Sequence, residues 1–568
     1  MSQNIVIIGA VALGPKTACR YKRLCPEAKV IMVDENKMIS YGGCGIPYLI
    51  SGDVSDPTQL QTTSFHMVRD ANYFQKAKDI EVRTETRALE INRKEKTVLL
   101  LDIKSGEKYH LSYDKLVLAT GSSPRFIEIP GRDLQGAFTV SGLEEAVRIR
   151  EQVTTGKVGK AAVVGAGFIG LEMAEALADM WGIETSVVEI ADQILPGFIS
   201  PTLAQITQKH MQDQGVEFFL EEKVLSIQGK RAVQKIVTDK REIEADLVVM
   251  ATGVRPNGEL ARQCGLAVSS QNGIIVDKTM RTSDPNIFAG GDCVEVENLI
   301  TGKPGYCPMG SLANRQGRVI GTNLAGGKDT FPGTVGSFVV KTFEQATAGT
   351  GLSLQTALDS GFKAISAQVI QFDHSHFYPE KDLVLLELVV EKETGRILGI
   401  QGMSTNGHSL KGRIDAVAAV MPYKPTTKDI GNMEMAYSPP FASAMDVLNA
   451  AGNTADNMIA GRNKSIPVNE FAAIWPEFKD RDYIVLDCRS PENAVEFVEK
   501  YPELWKNIST EELRQNLARV PEAKNIVLVC NTGGRSYEAQ LILAQNGIDN
   551  TLNLEGGIGV LKRWGMEL

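Results

Sequence analysis

A lone cysteine, Cys44, lies among glycines in the stretch SYGGCGIPYLISG, residues 40–52. A disulfide closed within this loop would need a second cysteine nearby, but Leu49 stands five residues on and the next cysteine is Cys264. Small neighbours let the backbone approach a flat ligand closely. The pattern predicts that Cys44, if it is reactive, works as a lone thiol whose partner lies outside this loop. A buried spectator thiol is the alternative.

A second cysteine, Cys530, follows a strand-like run in NIVLVCNTGGRSYEAQLILAQNGI. A six-residue loop from Cys530 to Arg535 separates this strand from a predicted helix. Backbone N–H groups from Asn531 to Ser536 can surround an anion, and Arg535 adds positive charge or braces the loop. Cys530 is therefore predicted to be a stabilised thiolate.

The elements that position this chemistry begin with NIVIIGAVALGPKTACRYKRL, which predicts a strand, a tight turn and a helix. Gly9 and Gly14 fit the turn and the close approach of helix to strand, although Val11 replaces the middle glycine of GxGxxG. Twenty residues after Gly14, Asp34 ends the next strand, where a carboxylate can accept hydrogen bonds from a ribose. This degenerate pattern predicts a first dinucleotide site; a turn that binds nothing is the alternative.

A complete fingerprint appears in KAAVVGAGFIGLEMAEALADM, where Gly165, Gly167 and Gly170 separate a strand from an amphipathic helix. The helix N-terminus would receive the pyrophosphate. Glu189 ends the following strand, and its carboxylate would bond a ribose 2′-OH and repel a 2′-phosphate. No arginine or lysine follows at positions 190–192. The pattern favours NADH over NADPH.

Two dinucleotide sites in one chain indicate a flavin beside a nicotinamide, hence FAD and NADH as cofactors. Matching strand–turn segments, DKLVLATGSSP and ADLVVMATGVRP, place Thr120 and Gly121 at the first site and Gly253 at the second. The segment TSDPNIFAGGDC carries Asp292 after a strand, in position to hold a flavin ribityl hydroxyl.

Length and composition set the limits of the function. With 568 residues, the chain predicts three or four domains, and 43% hydrophobic with 23% charged residues is typical of a soluble globular protein. A net charge of −9 gives no reason to expect nucleic acid. Eight scattered cysteines without a CxxC pair predict neither a metal site nor a disulfide framework. We find no signal segment and no membrane-spanning run, which predicts a cytoplasmic location.

On these motifs, residues 1–450 resemble the two-dinucleotide-binding-domain flavoprotein disulfide reductases. The single-cysteine loop SYGGCGIPY resembles the coenzyme A-disulfide reductase group, which is related to NADH oxidases and peroxidases. The resemblance implies that Cys44 alternates between a thiolate and a mixed disulfide with CoA, or a sulfenate in the oxidase branch. Such a nucleophile needs a low pKa.

The stretch YSPPFASAMDVLNAAGN, residues 437–453, resembles the dimerisation domain of the same group. The resemblance implies a homodimer in which Tyr437 reaches the partner subunit's cysteine and donates to a leaving thiolate. Tyr378, in HSHFYPEKD, resembles a second tyrosine of that site, though its local match is looser. Ordinary interface aromatics are the alternative for both.

The resemblance also implies a CoA site on the first helix. Arg20, Lys22 and Arg23 offer cations for the CoA phosphates, with Ser40 as a further contact, although a solvated basic face would have the same sequence. Phe168, inside the second glycine turn, fits a side chain that covers the flavin and moves when NADH arrives; a core aromatic is the alternative.

The C-terminal part resembles a rhodanese domain. It combines the strand end Asp487-Cys488-Arg489, the loop of Cys530 and the terminal segment TLNLEGGIGVLKRWG. The resemblance implies that Cys530 holds sulfane sulfur as a persulfide. A GHIPGA segment, usual between the two strands, is missing, and VEFVEKYPELWKNISTEEL stands in its place. This departure puts the substrate-side wall in doubt.

We therefore predict an α/β protein with two Rossmann-like dinucleotide-binding domains, an α+β dimerisation domain and a C-terminal α/β rhodanese domain. The predicted boundaries are 1–150 with 275–330 for FAD, 151–274 for NAD(H), 331–455 for dimerisation, and 456–568 for linker and rhodanese domain. The predicted activity is NADH-driven reduction of CoA persulfide, polysulfide or CoA disulfide. An NADH oxidase or peroxidase, or a sulfurtransferase with a redox-sensing flavin half, remains open.

Overall fold

The computed structural model describes residues 3–125 and 127–566. It divides into two compact units, Met1–Ala191 with Gly215–Thr334, and Asp192–Gln214 with Val335–Leu568. Both units mix helices and strands.

The first sheet of the first unit has five parallel strands. Their spatial order is Ile287–Ala289, Lys115–Leu118, Asn4–Ile8, Lys29–Val33 and Glu81–Arg83. The central strand reads as a continuous apolar run because helices cover both faces of a parallel sheet. Ile5, Val6 and Ile7 are accordingly fully buried.

The second sheet of this unit repeats the design with five parallel strands. Their order is Val216–Phe219, Glu184–Val188, Lys160–Val164, Leu247–Met250 and Ala137–Thr139. The last of these strands lies before the predicted boundary at residue 151, so this sheet draws on chain that the sequence assigns to the first domain. The exact domain limits stay predictions.

Smaller elements complete the first unit. The other strands are Thr86–Asn92, Thr97–Asp102, Lys108–Ser112, Ser122–Pro124, Val224–Gln228, Lys235–Thr238, Glu242–Glu244, Val254–Pro256, Ile274–Ile275, Val294–Glu297 and Pro304–Gly305. The helices are Leu13–Leu24, Ile46–Ser51, Ala71–Lys78, Leu143–Thr154, Phe168–Ala178, Glu259–Gln263 and Gly310–Leu324, with short 3-10 turns at Gly43–Gly45 and Pro57–Gln61.

Two helices of this unit pack closely through glycines. On the helix Gly310–Leu324, a Cβ added at Gly317 would lie 3.0 Å from the carbonyl oxygen of Leu13, and one at Gly321 would lie 2.7 Å from Cβ of Arg20. The absence of side chains at both positions lets this helix lie against the helix Leu13–Leu24.

The second unit contains an antiparallel five-stranded sheet. Its order is Phe338–Thr342, Gln345–Gly351, Ile397–Ser404, Leu383–Glu391 and Ala364–Phe372. Its helices are Pro201–Asp213, Leu354–Asp359, Gly407–Val420, Thr427–Gly431 and Val447–Ile459, with a 3-10 turn at Met421–Tyr423. The sheet and the helices after residue 335 correspond to the predicted α+β module, whereas the helix Pro201–Asp213 comes from chain that the sequence assigns to the NAD(H)-binding domain.

The C-terminal module of the second unit has a parallel sheet ordered Ser465–Ile466, Thr551–Leu554, Asn525–Val529, Tyr483–Asp487 and Trp505–Asn507. Its helices are Val468–Ile474, Pro491–Lys500, Thr510–Leu513, Gly534–Gln545 and Gly557–Trp564, with 3-10 turns at Trp475–Glu477 and Leu517–Arg519.

The segment that replaces GHIPGA supplies an edge strand to this last sheet. Trp505 within it is fully buried, and its indole N–H donates to a carboxylate oxygen of Asp487 at 3.1 Å. Its ring stacks on Phe497 with centroids 4.7 Å apart. The unusual segment is thus built into the core of the module rather than looped out from it.

Across the described part of the chain, no helix is both long enough and apolar enough to cross a membrane. The same residues contain no group of three or more His, Cys, Asp or Glu side chains that could hold a metal ion.

Candidate functional site

The first glycine turn packs the helix Leu13–Leu24 closely against the residues that precede it. Gly9 has a φ of +106°, and a Cβ there would lie 2.0 Å from the carbonyl oxygen of Ala119. A Cβ at Gly14 would lie 1.9 Å from the carbonyl oxygen of Gly9. Only glycine fits either position, so this turn has the tight bend and the close helix–strand packing of a dinucleotide-binding turn, with Val11 in place of its middle glycine.

Asp34 lies beside this turn, as the sequence predicts. One carboxylate oxygen accepts from the N–H of Ala10 at 2.7 Å, and the other accepts from the N–H of Asn36 at 2.9 Å. Burial raises the pKa of the carboxyl, and these N–H donors oppose the shift. The side-chain amide of Asn36 also donates to the second oxygen at 3.2 Å, so the oxygen bonded to Ala10 keeps a lone pair that can accept from a ribose hydroxyl.

The second glycine turn repeats this geometry. Gly165 has a φ of +105°, and a Cβ there would lie 2.5 Å from the carbonyl oxygen of Ala251; one at Gly170 would lie 1.9 Å from the carbonyl oxygen of Gly165. At Gly167, by contrast, no described atom lies within 4 Å of an added Cβ. This open space is where a pyrophosphate would approach the backbone. Half-buried Phe168 begins the helix that follows.

Glu189 has the same position at the second glycine turn that Asp34 has at the first. Its carboxylate accepts from the N–H of Ala166 at 2.7 Å and from the N–H of Ala191 at 2.9 Å. The two acidic residues are therefore held in the same way, each by the N–H of the residue that follows the first glycine of its turn. Both can present their remaining lone pairs to a ribose.

The two matching segments after the central strands pair with one another. Ser122–Pro124 and Val254–Pro256 form an antiparallel pair. The hydroxyl of Thr120 donates to the carbonyl oxygen of Asn257 at 2.7 Å. Gly121 and Gly253 have φ of +65° and +95°, and added Cβ atoms there would meet no described atom within 4 Å.

Asp292 lies near the first of these segments. The hydroxyl of Ser122 donates to its carboxylate at 3.5 Å, and burial raises the pKa of the carboxyl. Together with the turn at Gly9, these residues fit the adenine dinucleotide of a flavin, while the turn at Gly165 fits a second dinucleotide. The fit rests on the glycine cradles and the half-satisfied carboxylates.

Cys44 lies in the 3-10 turn Gly43–Gly45, directly before the helix Ile46–Ser51. Cys44 is exposed. Its sulfur lies 3.9 Å from the position that a Cβ on Gly310 would take, and Gly310 begins the helix Gly310–Leu324. Backbone N–H groups of Cys44 and Gly310 act to lower its pKa. A helix N-terminus favours an anion at this place.

The protein groups around Cys44 do not by themselves lower the pKa of its thiol, so the predicted low pKa depends on the flavin face as well. Desolvation by the surrounding protein raises the pKa of the thiol, and the carboxylates of Glu172 and Asp292 raise it further. These effects outweigh the backbone donors. Any net stabilisation of the thiolate must come from a group bound beside it.

Sequence reasoning missed Glu172, which lies on the helix Phe168–Ala178 two residues after Gly170. Burial raises the pKa of its carboxyl to about 7, with a smaller contribution from Glu175. Its only sequence signal is an acid on the apolar helix that follows the second glycine turn. Near neutral pH this group changes charge within electrostatic range of Cys44.

The basic residues of the first helix differ in how many of their N–H donors are available to bind a phosphate. The Lys22 ammonium donates to the carbonyl oxygens of Pro26 and Ala28 at 2.6 and 2.8 Å and pairs with Asp79 at 2.5 Å. All three of its N–H donors are therefore used. This geometry does not support Lys22 as a phosphate ligand.

The guanidinium groups of Arg20 and Arg23 each make one internal bond, from Nε to the Thr322 hydroxyl at 3.1 Å and from Nε to the Cys19 carbonyl at 2.8 Å. Within the described residues, their terminal nitrogens have no hydrogen-bond partner and can bind an anion. Ser40 is 2% exposed, with a φ of +51°, and its N–H donates to the Ala10 carbonyl at 2.8 Å. The structure thus places Ser40 against the first glycine turn.

The two predicted tyrosines lie on adjoining loops of the second unit. Tyr378 stacks on His374 with ring centroids 5.8 Å apart, whereas Tyr437 is 51% exposed. The Ser443 hydroxyl donates to the carbonyl oxygen of His374 at 2.9 Å, and the Ser375 N–H donates to the carbonyl oxygen of Pro439 at 3.2 Å. The structure therefore brings the two tyrosine loops together.

A buried ion pair, also missed from the sequence, anchors both loops. Arg413 donates to the carboxylate of Asp446, with a shortest distance of 2.6 Å, and to the carbonyl oxygen of Asp373 at 3.0 Å. Arg413 and Asp446 are 5% and 1% exposed. Asp446 also caps the helix Val447–Ile459 by accepting from the N–H of Leu448 at 3.0 Å.

The loop of Cys530 closes around its sulfur. The N–H of Gly533 and the hydroxyl of Ser536 donate to this sulfur at 3.2 and 3.3 Å. A Cβ at Gly557 would lie 2.2 Å from the Cys530 carbonyl oxygen, so only glycine fits there. Cys530 is 1% exposed, whereas Arg535 at the end of the loop is exposed. The arrangement suits a stabilised sulfur anion.

The fold and these motifs define a two-dinucleotide oxidoreductase joined to a sulfur-handling module. A family model for the pyridine nucleotide-disulphide oxidoreductases matches residues 3–312, one for the dimerisation domain of the same family matches residues 337–448, and one for the rhodanese-like domain matches residues 473–563. The chain belongs to the pyridine nucleotide-disulphide oxidoreductase family. The predicted fold class is confirmed.

Similar proteins share most of the chain. An NAD(P)H sulfur oxidoreductase (CoA-dependent) of Pyrococcus abyssi is 36% identical over 448 residues, 79% of this chain and 97% of that protein. An NADH oxidase of Methanocaldococcus jannaschii is 34% identical over 450 residues, 79% of this chain and 98% of that protein. The structure of an NAD-dependent persulfide reductase from A. fulgidus aligns with a TM-score of 0.92 at 37% identity, covering 98% of this chain and 99% of that chain.

Replacing Glu172 should make Cys44 easier to deprotonate. Above pH of about 7 the Glu172 carboxyl is ionised, so its negative charge opposes the thiolate. In Glu172→Gln that repulsion is absent, and the pH midpoint for alkylation of Cys44 by iodoacetamide, followed by mass spectrometry, should move to lower pH. The control is Glu151→Gln, at an exposed position. An unchanged midpoint in Glu172→Gln would contradict this electrostatic coupling.

Replacing Arg413 should destabilise the tyrosine loops because the buried Asp446 charge loses its partner. Arg413→Met is expected to cost about 3–5 kcal/mol, read as a lower urea midpoint. Lys411→Met, which removes an exposed ion pair with Asp415, should cost about 0.5 kcal/mol or less. Adding Asp446→Asn to Arg413→Met keeps the helix cap and removes the charge, so it should restore part of the loss. If the double variant recovers no stability, the loss in Arg413→Met does not come from the unpaired charge of Asp446.

Proposed function

We propose that this protein is an FAD-dependent, NADH-driven reductase of CoA persulfide or polysulfide, and of CoA disulfide, that works as a homodimer. The observation that carries the proposal is a lone, exposed Cys44 beside two dinucleotide turns, in one chain with the sulfur-binding loop of Cys530. The A. fulgidus persulfide reductase, which aligns over 98% of this chain, supports this combination.

The first glycine turn would hold FAD, with Asp34 on its ribose and with Thr120, Gly121 and Asp292 along its length. The second turn would hold NADH through Gly165, Gly167 and Gly170. Phe168 would cover the flavin until NADH arrives. Glu189 would select against a 2′-phosphate, since its carboxylate already faces the turn and no cation follows it.

Gly253 lies at the NADH site in this proposal, because its open space and left-handed backbone leave room for the cofactor. When bound, FAD passes the two electrons of NADH to sulfur. The chain's own part is to keep the reacting thiol beside the cofactor and to hold the sulfur substrate against it.

Cys44 is the proposed nucleophile. Its thiolate attacks a CoA-bound sulfur, one S–S bond breaks as another forms, and hydrosulfide or the CoA thiolate departs with a proton. Tyr437 of the partner subunit would donate to the departing sulfur, with Tyr378 beside it. The exposed hydroxyl-bearing side chain of Tyr437 and its shared anchor with the Tyr378 loop support this role.

Arg20 and Arg23 are the proposed cations for the CoA phosphates, because their terminal nitrogens are not used internally. Ser40 is left out of this role because it is buried and its N–H donates to the carbonyl oxygen of Ala10. Lys22 is left out of this role because its donors are spent within the protein.

Cys530 would load sulfane sulfur as a persulfide and supply it to the reductase half, with Arg535 bracing the loop. The two hydrogen bonds to its sulfur support this role, because they are donors aimed at the atom that would carry the persulfide. The thiol or persulfide substrates are small molecules, and CoA is the proposed carrier.

Replacing Cys44 by serine should abolish reduction of CoA persulfide. Without its nucleophile, the enzyme should lose at least about 10³-fold of its rate. The measurement is anaerobic NADH oxidation with CoA persulfide, coupled to hydrosulfide release, by the purified flavoprotein. Cys264→Ser, at a half-buried cysteine, is the control and should retain full activity.

Slow turnover that Cys44→Ser does not change would overturn the proposal. Rapid NADH oxidation only with oxygen or peroxide would instead favour the oxidase branch, in which Cys44 cycles through a sulfenate. A protein that transfers sulfur but does not oxidise NADH with any sulfur donor would be a sulfurtransferase.

Replacing Cys530 by serine should separate the two halves of the reaction. Turnover with polysulfide should fall because the loading step is lost, while turnover with preformed CoA persulfide should remain close to wild type. Steady-state NADH oxidation with each donor gives the comparison, again with Cys264→Ser as control. If Cys530→Ser and wild type have equal rates with every polysulfide and persulfide donor, Cys530 takes no part in the reaction.

A further inference from the structure

The rhodanese-like module contains a second buried thiol, Cys488, that the proposed reaction does not use. Cys488 directly follows the strand Tyr483–Asp487, and Cys530 directly follows the neighbouring strand Asn525–Val529. Both thiols are 1% exposed, and both are free.

The register of the two strands places the thiols side by side. Asp487 lies opposite Val529 in a parallel ladder, and the N–H of Cys488 donates to the carbonyl oxygen of Val529 at 2.8 Å. Cys488 and Cys530 are the next positions on each strand, so their side chains leave the same face of the sheet. Neighbouring strands lie about 4.8 Å apart, within the range of about 4.4–6.8 Å over which Cα atoms of a disulfide occur.

The surroundings of the two sulfurs differ. Cys530 receives hydrogen bonds from Gly533 and Ser536, whereas Cys488 packs in an apolar cluster with Leu486 and Leu528. Burial raises the pKa of the Cys488 thiol, and the neighbouring Cys530 adds to the shift. The Cys488 sulfur therefore lies in apolar surroundings, next to a sulfur that receives two hydrogen bonds.

We propose that Cys488 is a resolving thiol for the persulfide of Cys530, and that it closes a disulfide between the two residues when no acceptor thiol takes the sulfur. This inference rests on the proposed persulfide at Cys530. It adds a second exit for the sulfur, one that needs neither NADH nor Cys44.

The step balances within the module. The Cys488 sulfur attacks the Cys530 sulfur, the bond from Cys530 to the outer sulfur breaks, and the proton of Cys488 leaves with that sulfur as hydrosulfide. The sulfane sulfur is reduced by two electrons, and the two cysteine thiols are oxidised to one disulfide. An added dithiol such as dithiothreitol reverses the oxidation.

The test uses the full chain carrying Cys44→Ser, so that the flavin half cannot reduce sulfur. The reduced protein is treated anaerobically with thiosulfate, without NADH, which should load Cys530 and release sulfite. We expect hydrosulfide release, an intact mass lower by two hydrogens, and a peptide cross-link between residues 488 and 530 that dithiothreitol removes. With Cys488→Ser or Cys488→Ala added, sulfite should still appear, but the mass of one added sulfur atom should persist on Cys530 without a cross-link.

Two outcomes would overturn the inference at different points. Sulfite release with a lasting persulfide and no cross-link in the protein that retains Cys488 would remove the resolving role alone. Failure to release sulfite in the presence of Cys488 would remove the persulfide carrier, and the resolving role with it. The alanine and serine variants guard against a folding defect in either one, because sulfite release reports an intact Cys530 loop.

Discussion

The contact between each glycine turn and its helix is the constraint on which the rest of the first unit depends. The positions of Gly14 and Gly170 lie so near the carbonyl oxygens of Gly9 and Gly165 that a single methyl group would overlap them, at 1.9 Å in both cases. Because the first helix is held at this distance, the helix Gly310–Leu324 can pack on it through Gly317 and Gly321. The start of that second helix then lies at Cys44. One steric requirement in a turn thus helps to bring a helix from far along the chain next to the thiol of Cys44.

The two candidate thiols lie in different electrostatic surroundings. Cys530 carries its stabilisation within its own loop, through the Gly533 N–H and the Ser536 hydroxyl. Cys44 is surrounded by groups that on balance disfavour its thiolate, with Glu172 and Asp292 among them. A thiol of the first kind has donors to its sulfur within its own loop, whereas the thiolate of the second kind depends on what is bound next to it. That difference suits a sulfur carrier and a redox centre respectively.

The sequence predicted those features whose causes are local. Glycines at fixed spacing predict both turns because the need for a missing side chain is set by a few neighbouring residues. Asp34 and Glu189 follow from the same pattern, as does the loop from Cys530 to Arg535. The use of Lys22 by Asp79, and the effect of Glu172 on Cys44, could not be predicted, because each joins residues distant in the chain. The edge strand Trp505–Asn507 was not predicted for a related reason. Only the folded rhodanese-like module shows that Trp505 packs in the core of that module.

Burial gives a reason for a small carrier between the two thiols. Cys530 is 1% exposed, so its sulfur is accessible only to an acceptor thin enough to enter the loop. Cys44 is exposed but lies beside carboxylates, which disfavour an approaching anionic sulfur. A thiol on a flexible arm with a separately bound phosphate anchor meets both demands, since the anchor binds elsewhere and the arm brings a neutral persulfide to Cys44. The two arginines left free on the first helix are the charge complement that such an anchor requires.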